Sequence, residues 1–166
     1  MKYIKIVLFL FLSATVPAVA QQQITLEEIW GGAFRTKGMD DLQAMENTNQ
    51  YTVLNANYQA QAFQIDLYDF ATLNKVSTII DSKDYKELQS IDSYTFSPDE
   101  KKLLIASNSQ QIYRHSFLAD FYIYDIANKS LVKLSAYPVQ EPSFSADGSK
   151  VAYVLENNLY VYHIAS

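Results

Sequence analysis

A short turn motif occurs twice in this chain and restricts its fold more than any other feature. The copies are residues 96–99 (Phe-Ser-Pro-Asp) and 144–147 (Phe-Ser-Ala-Asp), and their phenylalanines are 48 residues apart. Each copy leads into an apolar run, residues 103–105 in the first case and 151–154 in the second, as expected of strands. Serine, proline and aspartate favour tight turns, because proline presets one backbone dihedral and short polar side chains bond nearby backbone groups. The motif therefore predicts a repeated strand–turn–strand unit.

A repeat of this length is typical of β-propeller blades, which are four-stranded sheets arranged radially around a channel. Other apolar runs supply candidate strands at residues 42–45, 51–54, 63–69, 76–80, 93–96, 102–107, 121–126, 131–134 and 159–164. We therefore expect an all-β fold, a partial β-propeller of about two and a half four-stranded blades after a short N-terminal helix. The expected blades span about residues 41–80, about 93–135 and, for the incomplete third, about 141–166. The alternative is an ordinary antiparallel sandwich with accidental self-similarity.

The first forty residues carry different signals. Residues 1–20 combine two lysines near the start, an apolar stretch and a final Ala-Val-Ala, which together predict a signal peptide; an uncleaved anchor is the alternative. We therefore expect export to a periplasmic or secreted location. Residues 21–40 are expected to form the N-terminal helix and a linker, with Thr25 and Glu28 as a capping box and Gly31 ending the helix.

Composition argues against several kinds of function. The formal charge is −5 and the pI is about 4.9, which disfavours a nucleic-acid partner because phosphates require a basic surface. The chain has no cysteine, two histidines and four glycines, and it has no Gly-x-Ser-x-Gly elbow, metal-ligand spacing or glycine-rich phosphate loop. Glu27 and Glu28 are adjacent on the expected helix, so we interpret them as capping and first-turn charges. We expect no catalytic residue, no metal site and no cofactor.

Blade two is longer than blade three in one place. From the turn phenylalanine to the later strand tyrosine the distance is 28 residues in blade two and 16 in blade three. The difference predicts an insertion, residues 108–120, between the second and third strands of blade two. It contains Arg114, whose guanidinium suits a carbonyl or carboxylate of a ligand, and His115. The alternative is a surface loop in which the arginine pairs with a nearby aspartate.

Together these residues resemble dipeptidyl peptidase IV in the prolyl oligopeptidase family of serine peptidases. The resemblance is carried by residues 24–29 (Ile-Thr-Leu-Glu-Glu-Ile), 113–116 (Tyr-Arg-His-Ser), 121–125 (Phe-Tyr-Ile-Tyr-Asp) and 144–154 (Phe-Ser-Ala-Asp-Gly-Ser-Lys-Val-Ala-Tyr-Val). The turn motif is only moderately specific, because many propellers have it. The Arg-His-Ser motif on a blade-two insertion is much more specific.

The resemblance implies a propeller that caps an α/β-hydrolase domain with a Ser, Asp and His triad. Such a propeller narrows access to the active site and holds the N-terminal end of the substrate. The resemblance implies substrate-binding roles for Arg114 and His115, with Arg114 near a carbonyl oxygen close to the second residue of the substrate. The paired glutamates that bind the free amino terminus belong to a later blade, so Glu27 and Glu28 are not their counterparts.

We therefore expect a truncated N-terminal propeller fragment of an exported serine dipeptidyl peptidase. Its parent would release N-terminal Xaa-Pro or Xaa-Ala dipeptides, whereas this chain alone would be inactive. The expected partners are a peptide substrate with a free N-terminus, the missing α/β-hydrolase domain and, in the parent, a second copy in a homodimer. The alternative is a standalone propeller-like module that binds peptides or proteins without catalysis.

Overall fold

The computed structural model of the chain describes residues 24–36 and 42–164. The expected signal peptide, residues 1–20, therefore lies outside the described residues. The chain divides into two compact units, residues 1–38 and 39–166. Within the described ranges, no helix combines the length and the apolar character needed to cross a membrane.

The first unit contains a single described helix, α1 (Leu26–Trp30). Its predicted capping box is confirmed, since the N–H of Glu28 donates to Thr25 Oγ1 at 3.1 Å and the N–H of Thr25 donates to Glu28 Oε2 at 3.0 Å. These bonds satisfy backbone groups that the first helical turn leaves without partners. The helix ends at Gly31, whose N–H donates to the carbonyl of Glu27 at 2.7 Å.

Strands dominate the second unit, and the described residues form three antiparallel sheets, which we call blades one, two and three. Blade one contains β1 (Leu42–Ala44), β2 (Gln50–Asn57), β3 (Ala62–Asp69) and β4 (Lys75–Asp81). Blade two contains β5 (Ser93–Phe96), β6 (Lys102–Tyr113), β7 (Ser116–Asp125) and β8 (Ser130–Lys133). Blade three contains β9 (Gln140–Phe144), β10 (Lys150–Leu155) and β11 (Asn158–His163). Neighbouring strands in each sheet follow chain order, which confirms the expected partial propeller of two four-stranded blades and an incomplete third.

Blade two is packed on both of its faces. Leu103 and Ile105 belong to an apolar cluster that includes Ile65 of blade one. Their neighbour on β6, Leu104, belongs to a second cluster that includes Val151 of blade three. Adjacent residues of a strand point to opposite faces, so a sheet covered on both sides needs an unbroken apolar run. The first half of β6 has such a run.

Tyrosines link blades one and two through their hydroxyl groups. Tyr94 OH lies 2.7 Å from Thr52 Oγ1, and Tyr124 OH donates to the carbonyl of Ile79 at 3.1 Å. The side-chain amide of Gln43 donates to the carbonyl of Tyr94 at 2.9 Å. A buried tyrosine requires such a partner for its hydroxyl while its ring packs in the core. These contacts fix the position of blade one relative to blade two.

The repeated turn motif has the same hydrogen-bond network in both copies. Ser97 Oγ donates to Asp99 Oδ1 at 2.7 Å and accepts from the backbone N–H five residues further on at 2.9 Å. Ser145 makes the equivalent contacts, with Asp147 Oδ1 at 2.5 Å and with the backbone N–H five residues further on at 3.0 Å. In each copy of the motif, the serine and the aspartate together close the turn between the first two strands of a blade. This shared role explains why both residues recur in the motif.

Candidate functional site

Strands β6 and β7 continue beyond the packed part of blade two and form a long hairpin, residues 108–120, which we call the blade-two hairpin. Pairing continues out to Tyr113 opposite Ser116, with the turn between them. The expectation that the second strand ends near Ser107 and the third begins near Phe121 is therefore wrong. The insertion lengthens two strands.

Solvent exposure explains why the strand pattern is absent from this hairpin. Ser107 is fully buried, whereas residues 108–113 of β6 are exposed. A strand with solvent on both faces needs no alternation of apolar and polar residues. The polar sequence Asn-Ser-Gln-Gln at 108–111 is compatible with a strand for that reason.

A β-bulge at Asn108 forms the base of the hairpin. The pairing register shifts between Ser107 and Gln110, and Asn108 has a φ of 55°, a left-handed conformation that asparagine tolerates better than most residues. Its N–H donates to Ser90 Oγ at 3.0 Å, and its side-chain Nδ2 donates to Asp120 Oδ2 at 3.3 Å. A bulge bends its strand and increases the twist, so Asn108 sets the direction in which the hairpin leaves the blade.

Two aspartates hold the hairpin base from either side. Asp92 Oδ2 accepts from the N–H of Ser109 at 2.8 Å, and Asp120 Oδ1 lies 2.8 Å from Lys133 Nζ. Partial burial alone would raise the pKa of Asp120, but the hydrogen bonds from Lys133 and Asn108 and the charge of Lys133 outweigh it and lower that pKa. Asp120 is therefore an ionised partner of Lys133 and does not act as a proton donor.

Both residues that the sequence marks as substrate-binding, Arg114 and His115, lie at the turn of the hairpin and are exposed. The side-chain amide of Gln111 donates to the carbonyls of Tyr113 and Arg114, at 3.1 and 3.3 Å. Among the residues that the structure describes, no carboxylate is within ion-pair distance of the Arg114 guanidinium. The alternative in which this arginine pairs with a nearby aspartate is therefore not realised in that part of the chain.

A cleft of about 460 Å³ lies between the hairpin and the start of β5. Asp92 and Ser93 form one wall, and Ser109 and Gln111 of β6 contribute to the cleft together with turn residues 114–117. The structure thus brings Arg114 and His115 to the same cleft. Its lining includes the acidic residue Asp92 and the basic residue Arg114, so residues of opposite charge border one cleft.

A second cavity, of about 480 Å³, lies where the first strands of the three blades approach one another. Its lining includes Gln43 of β1, Phe96 of β5 and Phe144 of β9, but neither residue of the Arg-His pair. Glu100 also lines it, and its carboxylate accepts from the N–H groups of Glu46 and Asn47 at 2.5 and 3.2 Å. This carboxylate therefore links the turns of blades one and two.

Reasoning from the sequence gave no role to three residues that hold the hairpin: Asp92, Asn108 and Gln111. Only Asn108 carried a local signal, because asparagine is enriched in left-handed conformations. Asp92 comes from the connector that precedes blade two and reaches the hairpin only through folding. Within the described ranges, no group of three His, Cys, Asp or Glu residues is placed to hold a metal ion.

The radially packed sheets and the blade-two hairpin place this chain among β-propeller proteins. Residues 97–166 match the family described as the dipeptidyl peptidase IV N-terminal region. A crystal structure of Porphyromonas gingivalis dipeptidyl peptidase 4 matches with a TM-score of 0.70 and 28% identity over 86% of this chain and 20% of that one. The chain is an N-terminal propeller region of the dipeptidyl peptidase IV type.

Curated relatives agree with this assignment. Human prolyl endopeptidase FAP is 32% identical over 106 residues, which is 63% of this chain and 14% of the relative. Dipeptidyl aminopeptidase B of Saccharomyces cerevisiae is 30% identical over 115 residues, which is 69% of this chain and 13% of the relative. The chain thus spans a small part of the proteins that it matches, and the resemblance drawn from its motifs is confirmed.

Proposed function

We propose that this chain is the substrate-holding propeller part of a serine dipeptidyl peptidase and that it acts together with an α/β-hydrolase domain carrying the triad. In that protein it would narrow access to the active site and hold a peptide with a free N-terminus. The observation that carries the proposal is Arg114, an exposed guanidinium on a braced hairpin, at the rim of a cleft of about 460 Å³. The match to peptidase relatives supports the substrate class.

The chemistry of Arg114 suits the backbone of a peptide. A guanidinium presents several donors in a planar fork, and a peptide carbonyl accepts one or two of them. Because the side chain has no ionic partner among the described residues, no existing ion pair must break when a ligand binds. A hydrogen bond from a charged donor contributes about 1.5–3 kcal/mol, or about tenfold or more in affinity. His115 adds a second polar group at the same turn.

The experiment uses the fact that the chain has only two arginines, Arg35 and Arg114. Arginine labelled with ¹⁵N gives one Nε–Hε resonance for each, and the Arg35→Lys variant assigns them. We expect the tripeptide Gly-Pro-Ala to shift the Arg114 resonance saturably at millimolar concentration and to leave Arg35 unshifted. Arg114→Lys keeps the charge but loses the fork, so it should bind more weakly. An Arg114 resonance that never shifts would exclude the proposed contact.

Catalysis is a separate part of the proposal. We expect the purified chain to give no turnover of a chromogenic Gly-Pro substrate, because the groups that break the bond belong to the hydrolase domain. If the purified chain turned over this substrate, and its Arg114 variants did so as well, this division of labour would be contradicted. The parent enzyme is expected to release Xaa-Pro or Xaa-Ala dipeptides, and the resemblance implies that it forms a homodimer.

Export completes the proposal. Residues 1–20 have the composition of a signal peptide, so we propose a periplasmic or secreted location. Residues 1–20 fused to alkaline phosphatase, an enzyme that is active only after export in bacteria, should give phosphatase activity. Replacing several apolar residues of this segment with charged residues is the matched control and should abolish that activity.

A standalone binding module is the second candidate function. It is favoured by the exposed apolar residues Leu159 and Val161, which are 73% and 52% exposed on blade three. Such surfaces are typical of interaction sites. A chain with a single cooperative unfolding transition would favour the module, whereas irreversible aggregation or rapid proteolysis would favour a part that needs the rest of the enzyme.

A further inference from the structure

The orientation of Arg114 depends on its backbone, because its side chain is exposed and has no ionic partner in the described residues. An arginine side chain has many rotamers, and binding a ligand costs the entropy of fixing them. The backbone that carries the arginine must be ordered as well, and fixing it in the free protein removes that separate cost before the ligand arrives. The residues that hold the turn are therefore part of how the site works.

At its base, the hairpin is held by Asn108 and by the carboxylates of Asp92 and Asp120, as described above. Four residues separate Asn108 from Tyr113 along exposed β6, where core packing provides no restraint. The tip therefore needs a restraint of its own.

Gln111 supplies a restraint at the tip. Its Nε2 group donates to the carbonyls of Tyr113 and Arg114, which lie on either side of the Arg114 Cα atom, at 3.1 and 3.3 Å. Both donors of one side-chain amide thus hold the two peptide groups that flank the arginine. Gln111 also lines the same cleft as Arg114.

We propose that Gln111 is a positioning residue for Arg114. It fixes the backbone of the hairpin turn so that the guanidinium projects over the cleft between the hairpin and the start of β5. This inference rests on the proposed peptide-binding role of Arg114. Gln111 is itself exposed, so its contribution to the stability of the fold is small, and its effect is confined to the turn.

The test compares Gln111→Met, Gln111→Lys and Gln110→Met in the full chain labelled with [¹⁵N]arginine. Methionine has nearly the shape of glutamine but no N–H group, whereas lysine keeps donors that can reach carbonyls. Gln110 is the exposed neighbour on β6 and makes no side-chain hydrogen bond to the turn among the described residues, so Gln110→Met is the matched control.

We expect Gln111→Met to lower the heteronuclear NOE of Arg114 Nε and to weaken binding of Gly-Pro-Ala about threefold to tenfold, the equivalent of one or two modest hydrogen bonds. The thermal midpoint should stay unchanged. Gln111→Lys should restore most of the affinity and the NOE, and Gln110→Met should behave as the wild-type protein.

The outcomes separate this inference from the proposed function. If Gly-Pro-Ala does not shift Arg114 in the wild-type chain, the peptide-binding role itself fails. If the wild-type chain binds and Gln111→Met binds equally well with an unchanged NOE, the positioning role is overturned. The positioning role would also be overturned if Gln111→Met lowered the thermal midpoint enough to account for its lost affinity and Gln111→Lys did not restore binding. Gln111 would then be only a structural residue.

Discussion

Ser97 is 2% exposed, and its hydroxyl joins both ends of the first turn motif. It donates to Asp99 and accepts from the N–H of Lys102, so Ser97→Ala leaves that N–H without its hydroxyl partner. We expect the free energy of unfolding to fall by about 1–3 kcal/mol. Ser145→Ala is the matched control, because Ser145 makes the same contacts in a more exposed turn and should cost less. Urea unfolding measures both losses, and equal values would contradict the role of burial.

Asp147 connects the second turn motif to pH. Hydrogen bonds from the Ser145 hydroxyl and from the N–H and hydroxyl of Ser149 lower the pKa of Asp147 well below its usual value. Because the folded pKa is the lower one, the ionised carboxylate stabilises the fold above about pH 4, and this stabilisation is lost as the pH falls through the folded pKa. Titration of the carboxyl ¹³C resonance should show the lowered pKa of Asp147. Ser145→Ala should raise the pKa of Asp147. The pKa of Asp99 should stay unchanged, because it is lowered chiefly by the hydrogen bond from Ser97.

Among single residues, the sequence predicted those members of the candidate site that lie next to each other in one motif. Arg114 and His115 are neighbours in the chain, and the spacing between blades shows that they lie in an insertion. Asp92 and Asn108 are 16 residues apart and reach the same hairpin base only after blade two has formed. Contacts of that kind depend on register and twist, which no local pattern encodes.

At the scale of the element, packing decides which strands can be read from sequence. The apolar first half of β6 is buried between two sheets, and its strand was predicted correctly. Its second half has solvent on both faces, so the hydrophobic signal disappears although the hydrogen bonds to β7 continue to residue 113. Hydrophobic periodicity reports burial and gives no information on an exposed hairpin.

Asn108 is the residue through which that hairpin can be tested as an element. Its φ of 55° costs about 1–2 kcal/mol for a residue such as alanine, whereas glycine enters the left-handed region freely. We expect Asn108→Ala to destabilise the hairpin by about that amount and Asn108→Gly to cost less. Both variants lose the contact with Asp120, so their difference isolates the backbone. Amide hydrogen exchange along β6 and β7 measures the stability of the hairpin in each variant. Equal losses of stability in the two variants would assign the effect to the side-chain contact.

For the molecule as a whole, the blades differ in how their faces are covered. Blade two packs against blade one through one apolar cluster and against blade three through the other. On blade three, Tyr153 and Tyr162 pack toward that second cluster. The cross-strand pairs Val154–Leu159 and Ala152–Val161 occupy the opposite face, because directly paired residues share a face and neighbours along a strand alternate. The repeat and the apolar runs predicted this radial arrangement; they could not show how exposed the last face is.

That face predicts self-association of the chain. Leu159 and Val161 are 73% and 52% exposed, and burying both would gain hydrophobic free energy of about 25 cal/mol per Å². Sedimentation velocity should show association that grows with concentration and decreases in the Leu159→Lys/Val161→Lys double variant. Thermal stability should change little, because both side chains are already exposed. Leu73→Lys is the control, since Leu73 is 68% exposed but lies in a turn of blade one. If the control reduces association as strongly as the double variant, added charge alone explains the effect and the blade-three face is not the contact.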